Sequence, residues 1–177
     1  MSNLKIPVSN SDHRQGVHSN KLILVEFGDY QCPYCGEAYW MVKELQNKFH
    51  MELQFVFRNF PLSTVHPQAL TAAVTAELAG SNGYFWQAHD ALFENQRALG
   101  MDLYTGILSG LSIPSSELTL ALEKDTYSGR INSDFNGGVR SGVNGTPSFY
   151  INGFFYDGSV DLESMTDALT TALLAAN

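Results

Sequence analysis

Hydrophobic positions near the start of the chain follow a strand pattern, then a helix pattern, then a strand pattern again. Residues 21–27 form a nearly continuous apolar run with β-branched members, which predicts a strand covered on both faces. From Pro33 to about Phe49, apolar residues recur at helical spacing with lysine and glutamate between them. Residues 53–58 predict a second strand, which Pro61 closes. Together these segments predict a βαβ unit.

The middle of the chain has helical periodicity and almost no strand signal. Pro67 suits the first turn of a helix that carries a stripe of alanines. Three shorter helical segments follow at residues 85–93, 103–111 and 118–122, before a polar stretch that runs through Arg140. Residues 63–142 are therefore predicted to form an all-helical block.

Strand signals return near the end of the chain. Two apolar runs flank the dipeptide Asn152-Gly153, which is a strong signal for a β-hairpin. Asp161 is placed to cap a final amphipathic helix. The predicted class is thus α/β, with βαβ and ββα units at the two ends of the fold and helices inserted between them. We assign the core to residues 21–62 and 143–177, the helical insertion to residues 63–142, and a polar N-terminal extension to residues 1–20.

Length, charge and hydropathy exclude several classes of function. The 177 residues are 44% hydrophobic, enough for one compact domain with an insertion. Eighteen acidic residues against ten basic ones give a net charge of -8, which repels phosphate backbones, so no nucleic acid partner is expected. No run of about 18 apolar residues predicts a membrane span, and residues 1–20 do not resemble a signal peptide. We expect a cytoplasmic location as the sequence stands, or a periplasmic one if a signal peptide has been removed.

The chain has two cysteines, Cys32 and Cys35, at the start of the first predicted helix. Pro33 fits the first helical position, because its fixed φ matches the helix and its missing N–H has no intrahelical partner to lose. Cys32 is then the N-cap, where unpaired backbone N–H groups and the helix dipole stabilise a thiolate and lower its pKa. We predict that Cys32 is the nucleophile and that Cys35, further into the helix and less accessible, is the resolving thiol.

Such a pair supports thiol-disulfide exchange, in which one thiolate attacks a disulfide and the second thiol displaces the mixed disulfide. An inert structural pair is one alternative. A zinc site is another, and it needs about four ligands. We expect neither a metal nor another cofactor, because the five histidines form no recognisable ligand pair; they are His13, His18, His50, His66 and His89.

The segment VEFGDYQCPYC at residues 25–35, followed far downstream by Gly145-Thr146-Pro147, resembles the DsbA-like branch of the thioredoxin superfamily. The resemblance extends over nearly the whole chain from about Lys21. It implies a thioredoxin-like fold with an inserted helical domain, and a protein disulfide oxidoreductase. It also implies that Pro147 forms a cis peptide bond opposite the cysteines, beside which an extended substrate peptide pairs, and that Thr146 tunes their environment. The other interpretation of Pro147 is a strand-start proline on a sheet edge.

Two more positions gain a role from this resemblance. Glu26 matches a buried acid that assists proton transfer from the resolving thiol, and burial would raise its pKa. The alternative is a strand-end glutamate that reaches solvent. Tyr34 lies where the best-known oxidising members have histidine. Since tyrosine is neutral near pH 7, it cannot stabilise a thiolate as an imidazolium does, and we predict a less oxidising cysteine pair.

The leading hypothesis is an enzyme that exchanges disulfides with protein or peptide substrates and with an unidentified redox partner. The alternative is a glutathione-dependent oxidoreductase or transferase of the same fold, because Cys-Pro-Tyr-Cys also occurs in glutaredoxins; the long insertion argues against a glutaredoxin. A third hypothesis is a non-catalytic binding module. Other large aromatic residues are predicted to be core: Trp40, Phe55, Phe57, Phe85, Trp86 and Phe93.

Overall fold

A computed structural model describes residues 3–18 and 21–176. Its strands are β1 (His13–Gly16), β2 (Leu22–Gly28), β3 (Leu53–Asn59), β4 (Ser148–Ile151) and β5 (Phe154–Phe155). They form one sheet in the order β1-β3-β2-β4-β5. The β2–β3 pair is parallel, and the other three neighbouring pairs are antiparallel.

The predicted βαβ unit is confirmed. Helix α1 (Pro33–Lys48) connects β2 to β3, and Leu24 lies opposite Phe55 in their parallel register. The helix starts at its proline, as expected, and ends where the Phe49 N–H donates to the Leu45 carbonyl at 2.9 Å. One face of α1 is buried, and it consists of Cys35, Ala38, Tyr39, Val42 and Leu45.

The helical block lies between β3 and β4, as predicted. Within the described residues it consists of α2 (Ala69–Ser81), α3 (Phe85–Glu94), a 3-10 turn (Gln96–Ala98), α4 (Met101–Gly110), α5 (Ser115–Glu123) and α6 (Ser128–Ser141). Helix α6 occupies the stretch that was predicted only to be polar. Its buried residues are Ile131, Asp134, Gly137, Gly138 and Ser141, so one large apolar side chain and several small or polar residues mark the buried side.

The C-terminal elements follow their local signals. Asn152 and Gly153 have φ values of 49° and 86°, and both positive values are what a two-residue hairpin turn requires. Helix α7 (Leu162–Ala175) begins at Asp161, whose carboxylate accepts from the Ser164 N–H at 2.8 Å, so the predicted cap is confirmed. None of the helices in residues 3–18 and 21–176 combines the length and the apolar character needed to cross a membrane.

Part of the N-terminal extension belongs to the sheet, as strand β1. It pairs with β3, with His13 opposite Phe57. Its four residues are polar or glycine and lack the alternation that predicts a strand. A buried ion pair holds the segment in place: the Arg58 Nε donates to the Asp12 carboxylate at 2.8 Å, and the Arg58 Nη1 donates to the Ile6 carbonyl at 2.9 Å.

Apolar side chains cover both faces of the sheet, as the continuous run in β2 predicts. Leu24 and Phe55 lie in the larger cluster, which also contains the buried face of α1. Val25 and Val56 lie in the smaller cluster on the opposite face. Since side chains alternate along a strand, Glu26 is on the same face as Leu24. A carboxylate is thereby placed inside the larger core, under the first turn of α1.

Candidate active site

The motif Cys-Pro-Tyr-Cys lies where β2 has ended and α1 begins. Cys32 is the N-cap, with an extended backbone at φ -66° and ψ 121°, and Pro33 is the first helical residue. The Cys32 carbonyl accepts from the N–H groups of Cys35 at 3.0 Å and Gly36 at 3.1 Å. Both cysteines are free thiols. The predicted placement of the pair at a helix N-terminus is therefore confirmed.

The surroundings of Cys32 favour its thiolate. A hydrogen bond from the Cys35 thiol, together with the backbone N–H groups of Cys35 and Tyr34, lowers the pKa of Cys32 to about 5, although burial opposes the shift. The residue is 4% exposed. The direction agrees with the argument from the helix N-terminus. The largest contribution, however, comes from the thiol of Cys35, which the sequence predicts only as the resolving thiol.

Cys35 has the opposite properties. It is 0% exposed, and burial raises its pKa well above the usual thiol value, followed by its hydrogen bond to Cys32 and the nearby charge of Glu26. The Asp29 N–H donates to the Cys35 sulfur at 3.4 Å. Near neutral pH, Cys32 is thus a thiolate and Cys35 a thiol. The surroundings of the two cysteines therefore favour different protonation states, although the residues are only three positions apart.

Glu26 is 2% exposed, so the alternative of a strand-end glutamate that reaches solvent is wrong. Burial, and then the charge of Cys32, raises the pKa of Glu26 to about 8. In the described part of the chain, its Oε1 atom is buried and accepts no hydrogen bond. A carboxyl group with this pKa exchanges its proton near neutrality, on the side of the motif where Cys35 is buried.

The structure brings Thr146 and Pro147 to the cysteine pair. The Thr146–Pro147 peptide bond is cis, as the resemblance implied. The Cys32 sulfur lies 3.3 Å from the Thr146 carbonyl oxygen, to which it donates when it is protonated. Tyr34 is 68% exposed. A groove of about 380 Å³ runs beside these residues, and its lining consists of Tyr34, Glu37, Ala38, Met41, Thr146, Pro147, Val160 and Asp161.

Comparisons with known proteins agree with this arrangement. A family model described as thioredoxin matches residues 9–171. The chain belongs to the thioredoxin family. Among solved structures, BdbD from Bacillus subtilis in its oxidised form has a TM-score of 0.86 at 21% identity, covering 98% of both chains. Wolbachia pipientis alpha-DsbA1 has a TM-score of 0.82 at 16% identity, covering 98% of this chain and 96% of its own. The predicted DsbA-like fold is confirmed.

Curated relatives of this thioredoxin-family protein are longer than it is. The Na(+)/H(+) antiporter NhaA 1 of Salinispora arenicola is 37% identical over 170 residues, which are 96% of this chain and 26% of that protein. NhaA of Herminiimonas arsenicoxydans is 31% identical over 158 residues, or 89% of this chain and 25% of its own length. The chain thus spans about a quarter of these relatives.

Several residues that the sequence did not indicate hold the loop that carries the cysteine motif. The Asp29 carboxylate accepts from the N–H groups of Gln31 and Leu62, each at 2.8 Å, and it pairs with His66 at 2.8 Å. The Gln96 amide donates to two backbone carbonyls of the loop. Asp29 lies inside the segment that carries the resemblance, whereas nothing in the sequence around Gln96 indicates its position.

The prediction that Trp40 is a core residue is wrong. Its side chain is 58% exposed on α1, beside a second groove that also includes Pro33 and Gln96. Phe55, Phe57, Phe85 and Phe93 are buried, and Trp86 packs against the same core. Over residues 3–18 and 21–176, no group of three or more histidine, cysteine, aspartate or glutamate side chains is arranged to hold a metal ion.

Proposed function

We propose that this protein catalyses thiol-disulfide exchange on protein or peptide substrates through Cys32 and Cys35. The observation that carries the proposal is the contrast between two thiols in one helical turn. The pKa of Cys32 is lowered to about 5, while that of Cys35 is raised by burial. Exchange requires a thiolate that attacks and a second thiol that stays protonated until the mixed disulfide has formed.

The reaction in the reducing direction begins at Cys32. Its thiolate attacks one sulfur of a substrate disulfide, the substrate S–S bond breaks, and the departing sulfur takes up a proton. Glu26, in its carboxylate form, accepts the proton of Cys35. The Cys35 thiolate then attacks the Cys32 sulfur, which releases the second substrate thiol and leaves a Cys32–Cys35 disulfide. The reverse sequence oxidises a substrate dithiol, and in either direction an unidentified redox partner restores the starting state.

Substrate peptides are proposed to bind along the groove beside Thr146 and Pro147. Thr146, whose carbonyl lies 3.3 Å from the Cys32 sulfur, lines this groove; among the described residues, the lining contains apolar side chains and two carboxylates but no lysine or arginine. A peptide bound there would place its own cysteine against Cys32, and a basic residue next to that cysteine would complement the charge of Glu37.

We do not propose antiporter activity for this chain, although its curated relatives are named as antiporters. The chain matches about a quarter of those proteins, at 26% of the length of the Salinispora arenicola relative. We propose that the shared part is a thioredoxin-type module, and that ion exchange belongs to sequence that this chain does not match.

One experiment separates the functional hypotheses. The purified protein is assayed for the dithiothreitol-driven reduction of insulin and for the turnover of a glutathione mixed disulfide, with the Cys32→Ser variant as the matched control. Catalysis of insulin reduction that the variant lacks supports the proposal. Turnover of the glutathione substrate alone supports the glutathione-dependent alternative, and inactivity in both assays supports a binding module and contradicts the proposal.

A further inference from the structure

Gln96 contacts the nucleophile's backbone from the helical block. It lies in the 3-10 turn between α3 and α4. Its Nε2 atom donates to the carbonyl of Tyr30 at 2.9 Å and to that of Cys32 at 2.8 Å. A side-chain amide nitrogen has two N–H donors, so these two bonds use both of them. One side chain therefore spans the loop that leads into α1.

The bond to Cys32 differs from the other bonds that this carbonyl accepts. Those come from the N–H groups of Cys35 and Gly36, at 3.0 and 3.1 Å, and both belong to α1 itself. The Gln96 bond comes from outside the helix and is shorter. It ties the first residue of the motif to the helical block.

Gly36 leaves the space that the Gln96 side chain occupies. A Cβ atom at this position would lie 2.3 Å from the Gln96 Oε1, far closer than two such atoms approach, so the amide would have to move. Glycine within a helix is less favourable than alanine. Contact with Gln96 is a structural reason for a glycine directly after Cys35.

The remaining ties of the loop hold other residues. The Asp29 carboxylate accepts from the Gln31 N–H, and the Gln31 Oε1 accepts from the Gln68 N–H at 2.6 Å. Neither of these bonds reaches Cys32. Within the part of the chain that the structure describes, Gln96 is the side chain that hydrogen-bonds to the backbone of Cys32.

We propose that Gln96 is a positioning residue for the nucleophile, which it acts on through the Cys32 backbone carbonyl. By holding that carbonyl, it keeps the Cys32 sulfur in front of the N–H groups at the start of α1. The proposal rests on the exchange function proposed above. It also gives the helical insertion a direct part in setting the reactivity of the cysteine pair.

The first test compares Gln96→Leu with Gln46→Leu. Leucine has a similar size but no donors, and Gln46 is a matched control on α1 whose amide donates to Gln15 at 2.9 Å. The readouts are the pH dependence of Cys32 alkylation and the equilibrium constant of the cysteine pair with glutathione. We expect Gln96→Leu to raise the alkylation midpoint and slow alkylation at pH 5 about two- to tenfold, the usual worth of one hydrogen bond. The equilibrium should shift towards the protein disulfide.

Gln46→Leu should change neither quantity. If Gln96→Leu lowers thermal stability but matches the control in both readouts, its role is only structural and the proposal is wrong. These measurements need no substrate turnover. A protein without exchange activity would overturn the proposed function, while the alkylation midpoint would still decide the role of Gln96.

Gly36→Ala provides a second test that leaves the glutamine in the chain. The added methyl group should displace the Gln96 amide and raise the Cys32 alkylation midpoint as Gln96→Leu does. The double variant should then show little further change, since both substitutions remove the same contact. Effects that add in full, or a Gly36→Ala midpoint equal to that of the unmodified protein, would overturn the proposal.

Discussion

Cys32 and Cys35 lie three residues apart at the start of α1, and they differ in what surrounds the sulfur: Cys32 lies on the groove side and Cys35 on the buried side. The Cys32 sulfur lies 3.3 Å from the carbonyl of Thr146, which lines the groove, and the pKa of Cys32 is lowered to about 5. Cys35 faces the core beside Glu26, where burial raises its pKa. Position relative to the helix N-terminus and the sheet, rather than residue type, gives the two thiols different pKa values.

The largest effect should separate the two cysteines directly. Cys32→Ser should abolish exchange, because no thiolate is left at the helix N-terminus. Cys35→Ser should still react once, and the covalent complex with substrate should accumulate because no second thiol displaces it. Non-reducing mass spectrometry after mixing with a disulfide peptide measures both outcomes. A stable complex formed by Cys32→Ser instead would reverse the proposed assignment.

Glu26→Gln tests whether the buried carboxyl group beside Cys35 has a raised pKa. Between pH 4.5 and 8 the folded protein keeps a proton on Glu26 that the unfolded chain has released, so stability falls as the pH rises through this range. Removing this titration should stabilise the reduced variant relative to the unmodified protein by on the order of 5 kcal/mol more at pH 9 than at pH 4. Urea unfolding at both pH values measures this difference. Resolution of the mixed disulfide should slow.

The matched control is Glu44→Gln, which removes an exposed carboxylate from the outer face of α1. It should leave the pH dependence of stability unchanged. If Glu26→Gln changes stability by the same amount at pH 4 and pH 9, the pKa of Glu26 is not raised by folding. Glu26 would then not distinguish the surroundings of Cys35 from those of Cys32.

Tyr34→His tests whether the residue between the two cysteines, which lines the groove, sets the pKa of Cys32. An imidazolium beside the thiolate should lower the Cys32 alkylation midpoint below about 5 and make the pair more oxidising, by roughly tenfold in the equilibrium constant with glutathione for each unit of pKa. Tyr34→Phe is the control, because neither ring is charged near pH 7. Equal values for the histidine and phenylalanine variants would show that this position does not tune the pair.

The smallest effect concerns the groove's charge. A disulfide peptide with lysine next to its cysteine should react faster than the same peptide with glutamate, and Glu37→Gln should reduce that preference by up to about fivefold, the range for an exposed charge pair. Measuring kcat/KM at low and high salt checks this, since screening should weaken the preference. Glu44→Gln, equal in charge change but outside the groove, should have little effect; an equal loss would locate the preference elsewhere.

Local signals accounted for much of the fold. The apolar run of β2, the proline at the start of α1, the Asn152-Gly153 turn and the Asp161 cap each depend on residues close in the sequence, and all are found where predicted. Strand β1 and helix α6 were missed. Their partners are distant; β1 consists of polar residues and a glycine, and Ile131 is the one large apolar side chain among the buried residues described for α6.

The same division between local and long-range determinants holds within the candidate active site. The sequence by itself determined that a cysteine pair begins a helix after a buried strand, because proline position and hydrophobic pattern are local properties. Only the tertiary structure decided that Glu26 is buried, that Trp40 is exposed, and that Gln96 reaches the Cys32 carbonyl. Burial and long-range hydrogen bonds depend on which segments pack together, and that packing is what separates the chemistry of two otherwise identical thiols.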